Sequence, residues 1–108
     1  MDRFKAEGVP LAVSVIDMDW HKTAIPARFG SGWTGYSWNR DFIPDPAAFL
    51  HGLHERGLKV TLNVHPADGS RAFEDAYPMV AKRLGLDAEE GEAASFDFYS
   101  PAFRGAYF

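Results

Sequence analysis

The sequence predicts an α/β chain of βαβ units with parallel strands, forming part of a (β/α)8 TIM barrel. Three observations carry that expectation. First, two apolar runs, Leu11 to Asp17 and Leu58 to Val64, each lead into polar and ring-bearing residues: Asp17-Met18-Asp19-Trp20-His21 and Asn63-Val64-His65-Pro66. Second, a helix with clear start and stop signals lies between them, and a strand–helix–strand order implies a right-handed crossover with parallel strands. Third, no Gly-rich phosphate fingerprint follows the first run, which weakens a doubly wound nucleotide fold and leaves the barrel as the better of the two alternating architectures. In either architecture ligands bind at the C-terminal ends of the strands.

The elements follow in order. Met1 to Glu7 reads as the last turns of a helix already under way, stopped by Gly8 and Val9-Pro10. The first strand, Leu11 to Asp17, is nearly all apolar, which predicts burial on both faces as in a parallel sheet. A long irregular segment runs from about Trp20 to Pro46 and holds Pro26, Gly30, Gly32 and Gly35 with Phe29, Trp33, Tyr36 and Trp38. Disordered segments carry few aromatic residues, so this one is expected to be an ordered, functional loop. Asp45 is an N-cap with Pro46 at the first helical position, and Gly57 stops the helix near Arg56. Phe49, Leu50 and Leu53 supply its apolar face. The second strand is Leu58 to Val64. After the turn at Asp68-Gly69-Ser70 a second helix is expected over Ala72 to Leu84, kinked or split at Pro78. Gly85-Leu86-Asp87 ends it. Gly91 to Phe98 has no clear pattern, and Tyr99 to Phe108 can be helical from Ser100-Pro101.

Composition bounds the function. The 108 residues suffice for one small domain and are fewer than half of the roughly 250 a whole barrel needs. Together with the two chain ends, this suggests a piece of a longer protein, with residues 1–108 all belonging to the barrel and no second domain. Exposed apolar edges would then favour self-association. Hydrophobic residues make up 46% and charged residues 24%, as in soluble globular proteins. The net charge of −4 and the lack of a basic face speak against nucleic acid. There is no cysteine, hence no disulfide or thiolate chemistry, which permits a cytoplasmic setting. No apolar run reaches membrane-spanning length, and no apolar core follows Met1-Asp2-Arg3-Phe4-Lys5 as it would in a signal peptide.

The residues able to carry chemistry sit at the two strand ends. Asp17 and Asp19 are two apart, so on an extended strand they share a face at the rim. There they can accept hydrogen bonds from a polyhydroxylated ligand, act as acid and base, or anchor the loop through backbone N–H groups. Asn63 and His65 share a face in the same way. His65 can donate to ligand hydroxyls, partner Asp17 or Asp19, or be a satisfied core imidazole. Asp17, Asp19, His21 and His65 are also possible metal ligands, but no His-x-His or His-Glu-x-x-His spacing is present. His51 and His54 are surface or packing residues on their helix. The loop Gly30 to Asn39 pairs glycines with large flat rings, which stack on sugar C–H faces. Either Trp33 or Trp38 can instead serve only to pin the loop.

In order and spacing these motifs resemble the catalytic barrel of glycoside hydrolase family 31, the retaining α-glucosidase and α-xylosidase family. Ile16-Asp17-Met18-Asp19-Trp20 resembles its Asp-x-Asp strand end, and Trp38-Asn39-Arg40-Asp41-Phe42-Ile43-Pro44-Asp45-Pro46 its aromatic-then-Phe-Pro segment. Phe49 to Lys59 and Asn63-Val64-His65-Pro66-Ala67 resemble the helix and strand that follow. The resemblance implies that Asp17 bonds sugar hydroxyls in the −1 subsite, that Met18 borders that subsite and that Asn63 lines it. His65 stands where the family commonly has Asp, a departure that bears on which sugar is bound. The resemblance also implies that the nucleophile and the acid/base lie beyond Phe108, that Asp97 is structural, and that the isolated chain is inactive. The expected substrate-binding set is therefore Asp17, Met18, Trp38, Asn63 and His65, with an oligosaccharide or glycoside as partner, no metal and no cofactor. Two rival readings differ in class: a non-catalytic carbohydrate-binding module using Trp33, Tyr36 and Trp38, and a metal-dependent barrel hydrolase.

Overall fold

Strand β1 (Val13–Ile16) pairs in parallel with strand β2 (Lys59–Leu62), with Val13 opposite Lys59 and Ile16 opposite Leu62. The computed structural model describes all 108 residues, and this two-stranded sheet is its only one. The order is helix α1 (Asp2–Ala6), β1, helix α2 (Pro46–Glu55), β2, helix α3 (Tyr77–Leu84) and helix α4 (Pro101–Tyr107), with short 3-10 turns at Met18–Trp20, Ala27–Phe29 and Pro66–Asp68. The expected β1–α2–β2 crossover is present. Asp45 caps α2 by accepting the Ala48 N–H at 3.0 Å, and Pro46 occupies its first turn. Leu53 of α2 is buried near β2, whereas Phe49 stays exposed.

Three expectations need correction. Both strands are shorter than the apolar runs, at four residues each. Nor are they buried on both faces: Val13 and Val15 are 50% and 65% exposed, while Ser14 and Ile16 are half-buried. Apolar character fits a strand for two-sided burial, but burial itself needs a layer on each face, and only α2 packs against this pair. Finally, Pro78 does not kink a helix. Helix α3 begins at Tyr77, so Pro78 falls in the first turn, where its missing N–H costs nothing. Residues 72–76 form turns instead of helix.

Burial is concentrated away from the sheet. Trp20, His21, Thr34 and Ser37 are each 3% exposed or less, and all belong to the segment between β1 and α2. A second cluster joins α3 to α4 through Tyr77, Ala81, Phe103 and Ala106. Tyr36 of the loop stacks on Phe96 at 5.5 Å, and Phe96 meets Phe103 edge-on at 5.0 Å, so the loop and the C-terminal helix share this cluster. Ser100 caps α4 by accepting the Phe103 N–H at 3.2 Å. Asp97 accepts the Tyr99 N–H at 3.0 Å, in keeping with its structural reading. The molecule is elongated, with a radius of gyration of 16.7 Å against about 13 Å for a compact chain of this length.

Candidate functional site

The two strand ends lie side by side because the parallel register sets Ile16 against Leu62. Just past them the backbone departs from the strand. Met18 takes a left-handed φ of +52°, and the chain turns through Met18–Trp20. Asp17 and Asp19 therefore do not share an extended face, because the strand has ended before either carboxylate. Asp19 is exposed, and Asp17 is the carboxylate that receives hydrogen bonds at this rim.

Two donors converge on Oδ1 of Asp17, and the His65 ring stands beside them. The Met18 N–H donates at 2.8 Å, Asn63 Nδ2 donates at 2.9 Å, and His65 Nε2 lies 3.4 Å away. Asn63 Nδ2 and His65 Nε2 are themselves 3.5 Å apart. Asp17, Asn63 and His65 thus form one polar cluster with Met18 beside it, and the Asp17 and Met18 side chains are about half exposed. An ionised carboxylate accepts only, and the backbone N–H of Met18 and the amide of Asn63 supply what it needs. Such a cluster can bind hydroxyls and orient them. No second carboxylate hydrogen-bonds within it, so acid–base work by paired carboxylates has no footing here.

The loop builds the wall behind the cluster. Trp20 is buried, and its Nε1 donates to the carbonyl oxygen of Asn63 at 2.8 Å, tying the end of β2 to the turn after β1. Trp33 stands edge-on to His65, with ring centres 4.7 Å apart, and His21 is 6.0 Å from His65 on the same measure. Trp38 is placed differently. It meets Trp20 edge-on at 5.0 Å, pairs through its backbone with His21, and lines a separate groove with Lys22, Asn39, Arg40 and Asp75. Of the five residues expected from sequence, the structure gathers Asp17, Met18, Asn63 and His65 and sets Trp38 behind Trp20. Trp20, His21 and Trp33 were not in that set. Their signal in the sequence is composition alone, since rings in a Gly-rich loop have no period that tells which one faces the strand ends.

Several anchors hold this wall. Asp68 accepts both the Ser31 N–H and the Ser31 hydroxyl at 2.6 Å, and the hydroxyl and N–H of Ser31 hold the Asp68 carboxyl below its usual range. Gly30 makes that approach possible, because a Cβ there would sit 2.6 Å from Asp68 Oδ2. Deeper in, the Thr34 hydroxyl donates to Glu74, which is 3% exposed, and the Asp75 N–H donates to the Ser37 hydroxyl at 2.8 Å. Burial, assisted by the Tyr107 hydroxyl 3.5 Å away, pushes the Tyr36 hydroxyl well above its ordinary pKa. No group of three or more His, Cys, Asp or Glu side chains is arranged to hold a metal ion. His21 and His65 are near each other, and the carboxylate beside His65, Asp17, is engaged by Asn63.

Comparison with known proteins gives a consistent result. The family model for the glycosyl hydrolases family 31 TIM-barrel domain matches residues 1–108. The chain is 30% identical over 101 residues to the α-xylosidase XylQ of Lactiplantibacillus pentosus, an alignment covering 92% of this chain and 12% of that protein. It is 33% identical over 116 aligned positions to an α-xylosidase of Emericella nidulans, covering 94% of this chain and 13% of that one. The chain thus spans 12% and 13% of the lengths of these two relatives.

Proposed function

This chain belongs to glycoside hydrolase family 31, and on that premise we propose that it is the sugar-holding segment of a retaining α-glycosidase. In this reading residues 1–108 are one part of a (β/α)8 catalytic barrel, with β1 and β2 as neighbouring barrel strands. The substrate is an α-linked xyloside or glucoside, and both relatives being named α-xylosidases favours the xyloside. Asp17 accepts a hydroxyl of the sugar in the −1 subsite, Met18 borders the ring, and Asn63 holds Asp17 in place beside His65. The nucleophile and the acid/base that such chemistry requires are carboxylates outside these residues.

The observation that carries this reading is the convergence of Asn63 and His65 on one oxygen of a half-exposed Asp17, at the C-terminal ends of two parallel strands. Carboxylate, amide and imidazole groups held by one another, with an indole edge beside them, suit a ligand rich in hydroxyls. Titrating the isotopically labelled chain with methyl α-D-xylopyranoside, followed by NMR, tests it. The expected result is chemical-shift change confined to Asp17, Met18, Asn63, His65 and the Trp33 ring, in the millimolar range, with no turnover of an aryl α-xyloside. Shift changes gathered instead around Trp38, Lys22 and Asp75 would overturn the placement, and hydrolysis by the 108-residue chain would overturn the assignment of the catalytic carboxylates.

A further inference from the structure

Trp20 and Trp38 pack on each other but use their indole N–H groups differently. Trp20 is buried, and its Nε1 donates to the Asn63 carbonyl oxygen at 2.8 Å. The Trp38 N–H donates to no group of the chain and is open to solvent. The Trp38 ring is nonetheless fixed. It meets Trp20 edge-on at 5.0 Å, its backbone bridges to His21, and the N–H of the next residue, Asn39, donates to the Trp20 carbonyl oxygen at 2.7 Å. It borders a groove of about 510 Å³, within the range of ligand sites.

The other side chains along that groove bring unused donors and acceptors to it. Asn39 Oδ1 accepts the Asp41 N–H at 3.2 Å, which leaves the Asn39 amide NH2 free. Arg40 spends only Nη1, on the Pro44 carbonyl oxygen at 3.3 Å. Lys22 Nζ and Asp75 Oδ1 face each other at 3.6 Å with both side chains exposed, a pair weak enough for a ligand to open. The backbone beneath that pair is tied to Ser37. Its carbonyl oxygen accepts the Lys22 N–H at 3.0 Å, and its hydroxyl accepts the Asp75 N–H at 2.8 Å. Lys22 and Arg40 are balanced by Asp41 and Asp75, so the groove has no net charge with which to select an ion. A ligand that suits it is neutral, has hydroxyls that both donate and accept, and offers C–H surface to an indole. A saccharide has all three properties. Ligand sites cover most of their ligand's surface, and a groove of this volume is larger than a single pyranose needs.

We propose that the Trp38 groove is a second saccharide-binding site, apart from the Asp17 cluster, and that it takes a neutral oligosaccharide. The Trp38 N–H and the Asn39 NH2 donate to its hydroxyls, and Asp41 and Asp75 accept from them. Trp20 touches both sites, through Nε1 at the Asn63 end and through its ring at Trp38. The proposal does not depend on the reading of Asp17 as a sugar acceptor.

Titrating the isotopically labelled 108-residue chain with maltotriose and, separately, with cellotriose tests it by NMR. The first is a curved α-linked chain and the second an extended β-linked one. At least one is expected to move the Trp38 indole N–H, the Asn39 side-chain NH2 and the backbone amides of Lys22, Arg40 and Asp75 in the millimolar range, and the tighter of the two identifies the linkage. No movement there with either trisaccharide would overturn the proposal. Stronger movement of the same signals by acetate or inorganic phosphate would also overturn it, in favour of an anion site. Trp38→Phe keeps a ring against Trp20 and removes the N–H, so trisaccharide affinity should fall roughly two- to tenfold. Unchanged affinity in that variant would refute the role of the indole N–H, and the unmutated chain decides the site itself even where the variant does not fold. Saturating methyl α-D-xylopyranoside is expected to leave trisaccharide affinity unchanged; competition would refute two separate sites. If the xyloside leaves the Asp17 signals unmoved while a trisaccharide moves those of Trp38, the Asp17 reading falls and this one stands. The reverse pattern overturns this one alone.

Discussion

Strand β1 leaves Val13 and Val15 50% and 65% exposed, whereas the irregular loop after it buries Trp20, His21, Thr34 and Ser37 almost completely. The strand pair has regular backbone pairing and little cover. The loop has almost no regular pairing, yet it is fixed by side chains: Trp20 to Asn63, Thr34 to Glu74, Ser31 to Asp68, and Ser37 to the backbone of Asp75. Regular hydrogen bonding sets direction and register, as the placement of Asp17 beside Asn63 shows. Local stability follows burial and satisfied polar groups, and by that measure the loop is the firmer region.

The contrast can be broken at its strongest point first. Trp20→Ala removes a buried indole and its bond to Asn63, and should destabilise the chain by about 3–5 kcal/mol in urea unfolding. A loss below that of an ordinary surface substitution would mean that the loop is not the core. Thr34→Val comes next. It leaves Glu74, already buried with one oxygen unpartnered, without its remaining donor, and should cost about 1–3 kcal/mol, with Thr34→Ser close to the original. On the strand side, Val13→Thr with Val15→Thr should change stability by no more than about 0.5 kcal/mol each. The same pair of changes should reduce concentration-dependent association in sizing experiments, because the open apolar face of β1 and the free strand edges are where copies would meet. Unchanged elution would place any association elsewhere. The smallest effect concerns Asp68. Its folded-state pKa is held below the ordinary 3.8, so the contribution of its bonds to Ser31 is present above that value and is lost as pH falls through the folded pKa. Ser31→Ala removes the hydroxyl and keeps the backbone N–H, so it should reduce that acid-side loss, as read by the pH dependence of the melting temperature.

The sequence made the crossover legible because its signals are local. Asp45-Pro46 and Gly57 bracket α2, and two apolar runs flank it. It also placed the polar cluster, since Asp17, Asn63 and His65 follow those runs directly. Two things were hidden. Where the chain after β1 leaves the extended region depends on Met18, a choice made by the turn and not by propensity. Which ring of the loop reaches His65 depends on anchors such as Ser31–Asp68, which join residues 37 apart in the chain. Trp33 and Trp38 look alike in sequence, and only those distant anchors separate them. Pro78 was misplaced for a simpler reason: the apolar spacing of Phe73, Tyr77, Val80 and Leu84 continues through turns that are not helical.

The turn at Met18 has a bearing on chemical durability. A side chain at φ +52° costs roughly 1–2 kcal/mol that glycine would not, so the chain carries a thioether where a bare backbone would be easier to fold. That sulfur side chain is 48% exposed, one residue from the carboxylate at the centre of the cluster. Peroxide would reach it readily and convert it to a polar, bulkier sulfoxide at the rim. Mild oxidation should therefore alter the strand-end site while Trp20 and the packed loop remain intact, and a methionine sulfoxide reductase should reverse the change.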